Sequence, residues 1–117
     1  MDILLRAIGY VDNERKAIED DFWGQVISKV TLDPGEMDDD ALEGLDAFSH
    51  VEVIFYMDQV KPEKIVTGAR HPRNDESLPK FGILAQRGKN RKNQLGLSFA
   101  EVVSVDGYEL TLKGLDA

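Results

Sequence analysis

The chain has 117 residues, 42% hydrophobic and 31% charged, and carries 14 Lys and Arg against 22 Asp and Glu for a net charge of −8. That length supports one adequate core, so a single domain over 1–117 is expected, and no apolar run reaches the roughly 18 residues of a membrane helix. With no cysteine and only His50 and His71, disulfides, thiolate metal sites and multi-histidine metal sites are not expected.

The opening residues, MDILLRAIGYVDN, lack the basic lead and small-residue cleavage pattern of a secretory signal, which fits a cytoplasmic protein. Residues 3–11 read as a first strand. A second covers 22–32 and ends at the turn sequence Asp33-Pro34-Gly35. A short helix is expected over 39–46, capped by Asp38 or Asp39, with Leu42 and Leu45 on one face. In HVEVIFYM (50–57), Val51, Val53 and Phe55 alternate with His50, Glu52 and Ile54, the period of a half-buried strand. The stretch 60–80 holds Pro62, Gly68, Pro72 and Pro79 and reads as a long functional or mobile loop. Strands follow at 81–86, 97–105 and 108–113, the last two joined through Asp106-Gly107. This punctuation predicts a mainly all-β chain: a small closed or nearly closed β-barrel with one short helix and a long basic loop.

Charge is unevenly distributed. Residues 61–92 hold nine Lys and Arg against three acids, whereas the remainder has five cations and nineteen acids. A local basic patch can serve a nucleic-acid partner in an acidic chain, or it can simply be a solvated loop. The densest part is AQRGKNRKNQLGLS (85–98), with Arg87, Lys89, Arg91 and Lys92. Phe81 is the only aromatic residue of the basic segment and reads as buried, which argues against generic stacking on single strands.

The order ALEGLDAFSHVEVIF (41–55), ARHPR (69–73), FGILAQRGKNRKNQLGLS (81–98) and LKGLDA (112–117) resembles the TsaA-like, TrmO-type family of S-adenosylmethionine-dependent tRNA methyltransferases. The resemblance starts at Ile8-Gly9 and spans nearly the whole chain. It implies a compact β-barrel that methylates the exocyclic nitrogen of threonylcarbamoyl-adenosine beside the anticodon, as a homodimer with S-adenosylmethionine as cofactor.

Position by position, the resemblance implies cofactor contacts at Asp58, Gln59, Arg87, Arg91, Asn93, Gly96 and Leu97. It implies RNA contact at Arg70 and Arg73 of the RxPR-like loop, and Lys89 and Lys92 join them as candidates by charge. Arginine's planar fork suits a carboxylate or phosphate, an acid such as Asp58 suits a sulfonium, and Gly96 would allow close backbone approach to a ligand. His50 is a candidate catalytic base, with His71 beside it and a structural role open for either.

Several positions depart from the family pattern. Its RPNP reads Arg91-Lys92-Asn93-Gln94, and a Ser-Pro-like pair reads Gly88-Lys89, so proline stiffening is lost from the loop. NERKAIEDDFWG (13–24) replaces a PRQPGL-like segment, with Trp23 as an aromatic lid or a core anchor. The family continues with DGTPVLDIKPY, absent from this sequence, which leaves a truncated piece and a divergent member both open. The alternative function is therefore a catalytically weakened barrel acting as an RNA-binding or dimerising module. A third reading is a small adenosyl-ligand or protein-interaction barrel with no RNA partner.

Overall fold

The computed structural model describes residues 1–13, 26–72, 75–86 and 88–116. Trp23, Arg73 and Arg87 lie outside these residues. The described elements are β1 (Gly9–Asn13), β2 (Ile27–Leu32), β3 (His50–Tyr56), β4 (Ala69–Arg70), β5 (Phe81–Gly82), β6 (Leu95–Asp106) and β7 (Glu109–Lys113), with short 3-10 turns between them. The class is mainly β, as expected. One sheet runs β1-β2-β7-β6-β3 and a second pairs β4 with β5. The β1–β2, β2–β7 and β6–β7 pairs are antiparallel. Among the described residues the larger sheet keeps two edges, at β1 and β3.

The chain forms two compact units, one of Met1–Val53 with Ser98–Ala117 and one of Ile54–Leu97. The first unit has its core in Leu32, Leu42, Ala100, Leu110, Leu112 and Leu115. Period-2 alternation explains most of it: β7 turns Leu110 and Leu112 inward, and β6 turns Ser98 and Ala100 inward. The Ser98 hydroxyl is satisfied by the Asp116 N–H at 3.1 Å.

Three sequence expectations shift in place or kind. The first strand begins at Gly9, not at residue 3, because Gly9 already pairs with Leu32, the last residue of β2. Beyond that point β2 turns away at Asp33, whose N–H donates to the Ile8 carbonyl at 2.8 Å, and no ladder is left for residues 3–8.

The helix expected over 39–46 does not form. Its segment closes successive three-residue bonds instead, Ala41 to Asp38, Glu43 to Asp40 and Leu45 to Leu42, and ends in a 3-10 turn at Leu45–Ala47. Gly44 stands at φ 86, a left-handed conformation that ends any right-handed helix there. Leu42 and Leu45 nevertheless face the core together, as their spacing requires.

The strand expected over 81–86 is only Phe81–Gly82, followed by a 3-10 turn at Ile83–Ala85. Phe81 is 48% exposed, not buried: a two-residue strand with a single partner offers nothing to cover its faces. By contrast β3 follows its reading closely, with residues 51, 53 and 55 half-buried and 50, 52, 54 and 56 exposed.

Candidate functional site

The second unit gathers most of the candidate residues. Its short strands are tied at one end by Gln86. That side chain donates to the Arg70 and Phe81 carbonyls at 3.3 and 3.1 Å, and its Oε1 accepts from Arg70 Nε at 3.4 Å. The Arg70 guanidinium also lies over Gly88, where an added Cβ would come within 2.8 Å of its Nη2. Arg70 is thus half-buried against the basic loop, with one edge spent on Gln86.

The basic loop is fastened to its surroundings and to itself. Val66 N–H donates to the Asn90 carbonyl at 2.8 Å. Arg91 donates from Nε to the Gly88 carbonyl and from Nη2 to the Leu95 carbonyl, both at 2.9 Å, and so staples the two ends of the loop. That geometry uses part of the guanidinium's donor set. The Asn90 Oδ1 is buried with no hydrogen-bond partner among the described residues.

Lys92–Gln94 make a 3-10 turn in which Asn93 sits at φ 71 and Gln94 at φ 55. A proline, held near φ −65°, could not occupy position 94 in this conformation. Gln94 is bonded throughout. Its N–H donates to the Arg91 carbonyl at 3.1 Å, its carbonyl accepts from Met57 N–H at 2.8 Å, and its Nε2 donates to the Met57 and Val60 carbonyls at 3.0 and 2.9 Å. The loop without prolines is held by hydrogen bonds.

Asp58 and Gln59 occupy the middle of the turn 57–60 that Gln94 grips, and both are exposed. Asn93, Lys89 and Lys92 are exposed on the basic loop. Among the described residues none of Arg70, Lys89, Arg91 and Lys92 forms an ion pair; the salt bridge present is Arg6–Glu36, at 3.9 Å.

Gly96 is buried at the start of β6, and the space its missing side chain leaves is filled by the Phe55 ring, with Cε2 2.7 Å from where a Cβ would be. Its close approach is to an aromatic ring of its own unit. Leu97, next along, is exposed.

The two histidines differ. His50 belongs to the first unit, is exposed, and its Nδ1 is 2.9 Å from the Ser49 hydroxyl. His71 lies in the second unit and donates from Nδ1 to the Leu78 carbonyl at 2.8 Å, which leaves its Nε2 as the basic nitrogen when the ring is neutral. Nearby, Asp75 accepts from the Ser77 hydroxyl and N–H, and these bonds hold its carboxyl below the ordinary carboxylate range.

Sequence reading missed Gln94, Gln86 and Phe55 as organising residues. For Gln94 the signal was present, since it breaks the proline pattern. Nothing local marks Gln86 or Phe55, because their partners are distant in sequence or specific to the folded turn.

A mainly β chain with a hydrogen-bonded basic loop against an exposed acidic turn is the class that the fold and the second unit define. The chain belongs to the tRNA-methyltransferase O N-terminal domain family, whose pattern it matches over residues 12–117. A Pseudomonas aeruginosa protein named as an S-adenosylmethionine-dependent methyltransferase, RcsF, is 37% identical over 79 residues, 66% of this chain and 32% of that protein. An Archaeoglobus fulgidus protein named for S-adenosyl-L-methionine binding is 27% identical over 79 residues, 68% of this chain and 20% of that protein. A crystal structure of TrmO matches the whole chain with TM-score 0.71 at 23% identity, and TrmO from Pseudomonas aeruginosa does so equally; these likenesses establish the fold. The chain spans a third or less of these curated relatives and about half of the solved chains.

Proposed function

We propose that residues 1–117 form one domain of an S-adenosylmethionine-dependent methyltransferase that acts on tRNA in the cytoplasm. In its finer form the reaction is N6-methylation of threonylcarbamoyl-adenosine near the anticodon, carried out by a homodimer. One observation carries the reading: Asp58 and Gln59 are exposed on a turn hydrogen-bonded through Gln94 to the loop that bears Arg91, Asn93 and the exposed Lys89 and Lys92.

The donor set fits the cofactor. A carboxylate at Asp58 opposes a sulfonium cation, and guanidinium N–H groups of Arg91, with Arg87 four residues before it in sequence, suit an amino-acid carboxylate. The Gln59 and Asn93 amides suit an adenine edge. When bound, the cofactor would supply a methyl group whose carbon takes the lone pair of a substrate nitrogen in line, the nitrogen–carbon bond forming as the carbon–sulfur bond breaks with its electron pair left on sulfur. The protein's part is to hold the reacting atoms about 3–3.5 Å apart and aligned, and to shed water from them. Lys89 and Lys92, with Arg70 and Arg73, would bring the RNA backbone to that point. His71, which lies in the same unit, is a candidate through its Nε2 for accepting the nitrogen's proton.

Calorimetric titration with S-adenosylhomocysteine tests the reading. Binding is expected, and its absence at millimolar ligand overturns the enzyme assignment for this chain.

A second reading is favoured by Arg91, whose guanidinium is engaged by its own loop at Gly88 and Leu95. On that reading the chain is a catalytically weakened RNA-binding or dimer-forming module. Salt-sensitive tRNA binding without methyl incorporation from labelled cofactor would select it.

A further inference from the structure

We propose that Gln94 is a positioning residue: its carboxamide fixes the turn that presents Asp58 and Gln59 on the Arg91–Leu95 loop. The inference rests on the cofactor site proposed above and adds what orders it.

The turn 57–60 is weak by itself. Its closing bond, from Val60 N–H to the Met57 carbonyl, is 3.4 Å long, well beyond the usual 2.9–3.0 Å. Gln94 supplies what is missing. Both hydrogens of its Nε2 are used, one on the Met57 carbonyl at 3.0 Å and one on the Val60 carbonyl at 2.9 Å, so a single amide clasps the first and last residues of the turn. The Met57 N–H returns a bond to the Gln94 carbonyl at 2.8 Å. The Tyr56 hydroxyl lies 3.5 Å from Gln94 Oε1, at the outer limit of a bond.

The contacts are directional, and they depend on backbone geometry that few residues adopt. Asn93 and Gln94 are the non-glycine residues with positive φ among those described, at 71 and 55. The conformation is disfavoured for side chains other than glycine's, and such conformations persist where surrounding contacts hold them. Here the contacts are those of residue 94 itself. A glutamine is the right length to reach two carbonyls and carries two hydrogens on one nitrogen; a glutamate at the same place would set a carboxylate against both.

Among the described residues Asp58 and Gln59 form no hydrogen bond with Gln94; they are the exposed middle of the clasped turn. Gln94 therefore acts through them, by restricting where the carboxylate and amide stand relative to Arg91 and Asn93.

Two measurements on the full chain decide the matter, with Gln94→Ala and Gln94→Glu compared with the wild type and the melting temperature recorded as a control on folding. The first is amide hydrogen exchange without ligand. Exchange at Met57 and Val60, whose N–H groups donate to the Gln94 and Met57 carbonyls, is expected to rise about tenfold in both variants while amides of β7 are unchanged; unaltered exchange at the turn overturns the proposal. The second is S-adenosylhomocysteine affinity in a double-mutant cycle with Asp58→Ala. Gln94→Ala is expected to weaken binding about tenfold alone and less than twofold once Asp58 is gone. An equal loss in both backgrounds means a merely structural glutamine and overturns the proposal. If the wild-type chain binds no ligand, the cofactor reading fails, and the exchange measurement alone decides whether Gln94 orders the turn.

Discussion

A methyl group added at position 96 would stand 2.7 Å from Phe55 Cε2 and closer still to the ring's tip. Phe55 points inward from β3, so the ring has little freedom to retreat. Gly96→Ala is expected to cost about 1–3 kcal/mol in urea unfolding, and Phe55→Leu in the same chain should recover part of it. Full additivity of the two losses would show that the ring is not what excludes the methyl. Three residues along the chain before it, Asn93 faces a different constraint. At φ 71 a side chain costs about 1–2 kcal/mol unless it is asparagine or glycine. Asn93→Gly should therefore leave stability nearly unchanged, whereas Asn93→Val should lose about that amount. Equal melting temperatures for the two variants would contradict the left-handed geometry.

At the scale of elements, Gly44 at φ 86 interrupts a run already rich in Asp, a poor helix former, and the segment yields consecutive tight turns. Gly44→Ala is expected to destabilise the first unit by about 1 kcal/mol, measured by thermal unfolding, and not to extend a helix. A rise in helical circular dichroism would refute that account. The turn at Asp75–Ser77 gives a pH-dependent counterpart. Because the folded carboxyl titrates below its ordinary value, the turn's stabilisation is present above that ordinary value and is lost as pH falls through the lowered one. Ser77→Ala removes the hydroxyl donor, the larger cause, and should move the Asp75 titration upward in a carboxyl-detected NMR series. No movement would mean that the Ser77 N–H alone holds it.

For the whole molecule, a net charge of −8 does not preclude an RNA partner, because Lys89, Arg91 and Lys92 are clustered and form no ion pair among the described residues. If Lys89 and Lys92 contact phosphates, replacing each by alanine should lower the slope of log affinity against log salt by about 0.7–0.9 without changing sequence preference. Unchanged slopes would remove both lysines from the interface. The first unit offers a contrasting surface, an open depression of about 460 Å³ lined by Asp39, Asp40, Glu43 and Asp46. Its charge would repel a phosphate backbone, so the proposed RNA contact is assigned to the basic loop of the second unit.

The sequence alone determined the β class, the alternation of β3, the hairpin through Asp106-Gly107, and the family, because each is written in period-2 patterning, in turn residues or in ordered motifs. It also marked position 94 as a departure from that family's frame. Only the tertiary structure decided what the departure means. A backbone turned left-handed at Asn93 and Gln94 brings a carboxamide to the carbonyls of a turn more than thirty residues away, and no local propensity encodes such a contact. The same holds for Gly96, whose neighbour Phe55 lies on another strand, and for the broken helix, where a single φ at Gly44 overrides the spacing of its leucines. Local periodicity fixes which faces are buried; long-range hydrogen bonds and ring packing fix where the exposed polar groups stand.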